Sequence, residues 1–343
     1  MKKIARDRFN FPYDQLALES HLKDLQIALL RSGNTRRLVS SAQEQTVREF
    51  GQTLFNTLMT SEVRSRYEIS LNEAARRKKG LRVKLRIQPP ELAVLPWEFM
   101  YDPRAGDYIC LSTQTPLVRY IDTPQVVEPL GIAPPLKILG VIANPVGLAP
   151  LDAENEKRRL ETALGELVGR QQVAFSWLEH ATWRELQRAL RKSHWHILHF
   201  IGHGGFDAVS DEGYIVMEED DHGARRLPAT QLARLLVDHD TLRLAVLNAC
   251  ESAQGGFKDL ISSTASVLVR RGLPAVLAMQ YDITDVAAVE FTRSFYEALA
   301  DDLPVDAATT EARKAINLEL SSSLEWAPPC CTCALQMACC SAR

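Results

Sequence analysis

The sequence predicts an α/β protein: a mostly parallel sheet covered by helices on both faces, preceded by a smaller α+β segment. Two observations predict this. From residue 136 onward, continuous apolar runs alternate with amphipathic stretches, as expected of strands buried on both faces and connected by helices. Before residue 122 the pattern is helical first and then shortly alternating, which is a different kind of segment. A chain of 343 residues also exceeds most single cores. Residues 122–135 carry four prolines and little charge, so they read as a linker or covering strap. The expected division is therefore 1–121, the linker 122–135, a principal domain at 136–328 and a cysteine-rich tail at 329–343.

Residues 11–75 are mostly helical in pattern, with Leu54, Leu58 and Met59 on one stripe of an amphipathic run. Residues 81–87 (LRVKLRI) alternate strictly, apolar on one face and basic on the other, which predicts a half-buried strand. The basic face reads as a solvated strand face, because no aromatic interleaving accompanies it as nucleic-acid binding would require. Two short strands are expected at Ile109–Leu111 and Leu117–Tyr120.

In the second half, residues 136–143 (LKILGVIA) end at Asn144-Pro145 and form the first buried strand. A helix with Leu160, Leu164, Leu167 and Val168 on one stripe follows, then a strand at 173–178. Thr182 and Glu185 form a capping box that opens the next helix. The third strand is the apolar run ending in HFIGHGG at 199–205. A short hairpin strand is expected at 214–217, a helix near 229–237, and strands at 242–247 and Ala275–Met279. Helices near 262, 284–300 and 305–320 complete the pattern. In such sheets chemistry gathers where loops leave the carboxyl ends of the strands.

Bulk composition excludes little but is ordinary: 46% apolar, 24% charged, formal charge −3. Neither nucleic acid nor a membrane surface is an expected partner. No apolar run approaches the roughly 18 residues of a membrane span. No leader is visible in MKKIARDRFNF, so the expected location is the cytoplasm. Two of the seven cysteines stand alone, Cys110 and Cys250, and five crowd into the tail.

Two strand ends carry the chemistry. One is Gly202-His203-Gly204-Gly205, and the other is Asn248-Ala249-Cys250-Glu251-Ser252. Both follow apolar strands and should emerge at one edge of the sheet. A free thiol has a pKa near about 8.5, so a nucleophilic cysteine needs an imidazole to take its proton or stabilise its thiolate. The glycines beside His203 give a carbonyl room to approach. The backbone N–H groups of Gly204 and Cys250 are the candidate oxyanion donors. A lone strand-end histidine, or a lone buried cysteine, is ordinary packing; their joint occurrence at matching strand ends points to a dyad. His194, His196, His199 and His203 do not read as a metal site, since zinc motifs of this spacing need a helix and an intervening glutamate. His199 reads as a core histidine hydrogen-bonded by the scaffold. No cofactor and no metal are expected.

The blocks HFIGHGG and LNACES resemble the two signatures of the CHAT family, caspase-like cysteine peptidases related to separase and often found beside tetratricopeptide repeats. LPWEFMYDP at 95–103 resembles a block of that family's amino-terminal half, and GLPAVLAMQ at 272–280 resembles the strand after the cysteine. Together these span most of residues 80–326. The resemblance implies a caspase-like three-layer sandwich, with the smaller α+β segment packed on it, Cys250 as nucleophile and His203 as its partner. Their separation of 47 residues also fits caspases, whose histidine stands about 50 residues upstream of the cysteine. It implies a cysteine endopeptidase acting on protein or peptide substrates, a regulated bacterial protease in a defence or cell-death pathway with a separately encoded sensor. The places that would form a substrate pocket are Asn144 and Asn248, both neutral. Asp282 and Glu251 are the acids that could select a basic side chain, and Asp285 reads as a cap of the next helix. The rival readings are a non-catalytic interaction module of caspase fold and a thiol-dependent esterase or acyltransferase.

The tail CCTCALQMACCSAR lacks the separated pairs of a zinc site. Codons permitted for it, read in another frame from Pro329, give Val-Leu-Tyr-Met-Arg-Ala-Pro-Asp-Gly-Val-Leu-Phe, two apolar strands about a turn. The tail thus reads as out of frame, and a chain ending with it should lack an edge element of the sheet.

Overall fold

The computed structural model describes residues 11–32, 42–123, 131–251, 260–281, 283–320 and 323–334. In chain order the elements are α1 (Gln15–Ser32), α2 (Ala42–Leu58), α3 (Ser61–Arg76), β1 (Val83–Leu85), α4 (Pro90–Ala93), β2 (Tyr101–Asp102), β3 (Asp107–Tyr108), β4 (Leu117–Tyr120), β5 (Leu136–Ile142), α5 (Ala153–Gly169), β6 (Val173–Trp177) and α6 (Trp183–Lys192). There follow β7 (Ile197–Asp207), β8 (Glu212–Glu218), β9 (Ala224–Pro228), α7 (Ala229–Leu236), β10 (Leu244–Glu251), α8 (Leu260–Arg271), β11 (Ala275–Met279), α9 (Asp285–Ala300), α10 (Val305–Glu319) and β12 (Pro329–Cys333).

A ten-stranded sheet runs β1-β4-β12-β11-β10-β7-β5-β6, with β8 on the distal part of β7 and β9 on β8. Most pairs are parallel, and β12 on β11 and the β7–β8–β9 hairpins are antiparallel. The pleat divides each strand between two cores. Ile197, Leu244, Val246, Ala275 and Leu277 pack with Leu160 and Leu164 of α5, Phe291 and Phe295 of α9, and Ile316 of α10. Leu198, Phe200, Ala245, Leu247 and Val276 pack with Leu186 of α6, Leu232 and Leu236 of α7, and Leu268 of α8. The result is three layers, as the alternation of apolar runs predicts.

The amino-terminal segment does more than pack on this sheet, because β1 and β4 extend it beyond β12. Its helices share the α9/α10 core through Leu54, Phe55, Trp97 and Phe99. Buried ion pairs reinforce the junction. Arg119 of β4 grips Glu98 through two bonds of 3.1 and 2.7 Å and reaches Gln280 Oε1 at 3.1 Å. Burial pushes the Glu98 carboxyl up, but Arg119 beside it and Arg313 farther off win and hold it below its usual range. The basic face of β1 is not simply solvated. Arg82 pairs with the fully buried Asp306, Arg86 with Asp122 at 2.9 Å, and Lys84 lies over the Tyr120 ring.

Two expectations need correction. Ile109–Leu111 is a turn of 3-10 helix, with Thr115 Oγ1 donating to the Ile109 carbonyl at 2.6 Å. The helix from 285 is capped by Thr284, whose hydroxyl accepts from Ala287 N, while Asp285 pairs with Arg159. The start of the tail adds an inner strand to the sheet. Pro329–Cys333 lies between β11 and β4, buried throughout. Cysteine is small and apolar enough to fill such a strand. Residues 335–343 lie outside the described residues.

Candidate active site

β7 carries His203 and β10 carries Cys250, and these are adjacent parallel strands. Their register pairs Cys250 with His203, Asn248 with Ile201 and Glu251 with Gly204. Neighbouring strands lie about 4.8 Å apart, so the two residues stand side by side at the carboxyl ends of the sheet. The sequence permits this because both runs are apolar up to these positions and break in glycine or polar residues immediately after.

His203 is 6% exposed, and its Nε2 lies 2.8 Å from the Ala149 carbonyl oxygen. A carbonyl only accepts, so Nε2 carries the proton. In the neutral ring Nδ1 is then the bare, basic nitrogen. The Ala149 carbonyl therefore fixes both the orientation and the tautomer of the imidazole. The side chains of Cys250 and Glu251, and the whole of Asp282, lie outside the described residues.

The flanking glycines have packing reasons of their own. A Cβ on Gly202 would lie 2.6 Å from the Phe200 ring, which is locked in the core, and one on Gly205 would collide with the Tyr214 hydroxyl. On the far side of Gly204, β8 pairs through Ile215.

Two histidines near it in sequence, His199 and His196, are engaged elsewhere. His199 Nδ1 is 2.7 Å from the Tyr296 hydroxyl, and burial lowers its pKa to about 4. His196 Nδ1 accepts from Lys137 N at 3.0 Å, and burial, then Lys137, lower it to about 4. Both are neutral scaffold groups near pH 7. Cys110, the other isolated cysteine, donates to the Glu98 carbonyl at 2.9 Å, and burial pushes its thiol up to about 12.

Of the four positions offered for a substrate pocket, Asn144 and Asn248 have described side chains. Asn248 lines two small adjoining cavities of about 10 and 20 Å³, each room for about one water, together with His199, Ala288 and Thr292. Glu156 and Arg159 border the outer cavity. They pair at 2.7 Å, and burial still raises the Glu156 carboxyl above its usual range. Asn144 is placed differently: its Nδ2 donates to Leu151 O at 2.9 Å and its Oδ1 accepts from Leu151 N at 3.0 Å. The loop of 280–284 is tied at both ends. Gln280 Nε2 donates to Val94 O at 2.8 Å, and Glu325 accepts from Thr284 N and Oγ1.

Sequence reasoning missed Ala149, Tyr296 and the Glu98–Arg119 pair. A backbone carbonyl has no residue signature. Glu98 sits within the LPWEFMYDP block, whose resemblance marked it without giving its role.

No helix among the described residues is long and apolar enough to cross a membrane. The sequence pattern of the CHAT domain matches residues 48–333. No curated protein matches the chain. Among solved structures the chain is similar to the Arg-specific cysteine proteinase gingipain R, at 11% identity and a TM-score of 0.46. That alignment covers 94% of this chain and 76% of the other. It is also similar to separase in the Saccharomyces cerevisiae separase–securin complex, at 13% identity and a TM-score of 0.41. There 94% of this chain is covered but only 22% of the separase chain.

Proposed function

The chain belongs to the CHAT-domain family, and we propose that it is a cysteine endopeptidase working through His203 and Cys250. The observation that carries this reading is the register of β7 and β10, which pairs Cys250 with a histidine whose Nε2 is already held by Ala149. His203 Nδ1 takes the thiol proton, and the Cys250 sulfur attacks the scissile carbonyl carbon. The tetrahedral oxyanion is stabilised by the N–H groups of Gly204 and Cys250. The imidazolium then protonates the leaving amine as the C–N bond breaks, leaving a thioester. Water, deprotonated by His203, hydrolyses the thioester and returns the thiol. The step needs no cofactor or metal.

The substrates are proteins or peptides. Asn248, two residues before Cys250 on β10, contacts the residue preceding the scissile bond, with Asp282 and Glu251 as further contacts. The biological setting is a regulated bacterial protease, in defence or cell death, activated by a separate sensor protein in the cytoplasm. The test is incubation with a diverse peptide library, with and without Cys250→Ala. Sequence-selective cleavage that disappears in the variant supports the proposal. Cleavage surviving the substitution refutes the nucleophile. Hydrolysis of small thioesters or esters but no peptides would favour the esterase reading, and no turnover at all the interaction module.

A further inference from the structure

His203 owes its orientation to a carbonyl in an exposed loop, which raises the question of what holds that loop. Residues 146–150 are all exposed, including Val146 at 73% and Leu148 at 38%. No packing of these side chains into the core fixes where the Ala149 carbonyl points. The loop is instead bracketed by hydrogen bonds at its two ends. Asn144 binds both the N–H and the C=O of Leu151, which closes the chain on either side of Ala149 into one ring. The Asn144 main-chain N–H donates to Glu218 Oε1 at 2.9 Å, and Val146 N donates to His222 O at 2.8 Å. Glu218 and His222 belong to the β8–β9 turn, so this turn holds the base of the ring against the sheet.

We propose that Asn144 is a positioning residue for His203: its two bonds to Leu151 hold the loop in the shape that presents the Ala149 carbonyl to Nε2. The inference rests on the His203–Cys250 reading and gives Asn144 a role other than substrate contact. Without the bracket, loop 146–150 loses its two-point closure, the carbonyl drifts from Nε2, and the imidazole is free to rotate or change tautomer. The basic nitrogen then meets the Cys250 thiol only part of the time.

The experiment needs no substrate. Iodoacetamide alkylation of Cys250 in the full chain is followed on the peptide that contains it, from pH 5 to 9.5, in wild type, His203→Ala, Asn144→Ala and Asn144→Asp. At pH 6.5 an unassisted thiol is only about 1% ionised, whereas an imidazole-assisted one reacts well above that level. Wild type is expected to alkylate about tenfold faster at pH 6.5 than His203→Ala, whose profile should follow a free thiol. Asn144→Ala should fall most of the way to His203→Ala while retaining the wild-type circular dichroism. Asn144→Asp keeps the bond from Leu151 N and loses the one to Leu151 O, so it should lie between. It is nearly isosteric and also decides the matter if the alanine variant does not fold. A wild-type profile in either folded Asn144 variant overturns the positioning role and leaves the dyad standing. Identical profiles for wild type and His203→Ala overturn the dyad itself.

Discussion

The two faces of the central sheet are built from the same strands but differ in what they bury. On the α6/α7/α8 face, Leu198, Phe200, Ala245 and Leu247 meet Leu186, Leu232, Leu236 and Leu268. On the α5/α9 face the same strand β7 presents Ile197, then His199 and His203, with Asn248 beside them on β10. One face is a continuous apolar core, and the other turns polar toward the carboxyl ends of its strands. The difference teaches where stability and chemistry reside. The apolar face resists loss of volume, while the polar face holds imidazoles in defined states at some cost to stability.

Removing volume from the apolar face should have the largest effect on stability. Phe200→Ala deletes a fully buried ring, and a loss of about 3–5 kcal/mol is expected in urea unfolding at pH 7. A loss under 1 kcal/mol would mean that this face is not close-packed.

The polar face should show itself in pH. Unfolded histidine protonates below about pH 6.5, whereas folded His199 stays neutral to about pH 4. The unfolded chain therefore takes up a proton first as pH falls. His199 removes stability progressively from about pH 6.5 to 4, by about 3 kcal/mol at most, and no more below that. Comparing unfolding of wild type and His199→Gln at pH 7 and 4.5 isolates this contribution: the variant should lose less stability on acidification. Equal losses in both would contradict a neutral His199.

The smallest effect belongs to its partner. Tyr296→Phe removes the hydroxyl 2.7 Å from His199 Nδ1 and keeps the ring, and about 1 kcal/mol should be lost. It should also leave Cys250 alkylation unchanged, because Tyr296 touches His199 and not His203.

How much of this was legible in the sequence follows from how each feature is encoded. Strands β5, β7, β10 and β11 stand out because residues buried on both faces are continuously apolar. β9 is not visible: ARRLP alternates too briefly, and its arginines satisfy an edge ladder whose pairing comes from β8. β12 is hidden for another reason, since cysteines in PCCTC carry no strand signal although all five residues are buried. At the site, His203 and Cys250 are readable because their residue types are chemical and they end apolar runs. Ala149 is not, because what it contributes is a carbonyl that every residue possesses. Asn144 was visible as a polar residue at a strand end, but its partner, the Leu151 backbone, is fixed only once the loop has closed.

The central claim is that His203 and Cys250 act as one unit at the end of adjacent strands. It is tested most directly by a double-mutant cycle on kcat/KM for a cleaved peptide, using Cys250→Ala, His203→Ala and the double variant. Each single substitution should cost about 10³-fold or more, and the double should cost no more than the worse single, since residues acting as a unit are not additive. Costs that multiply, or a single variant that keeps wild-type kcat/KM, would contradict it.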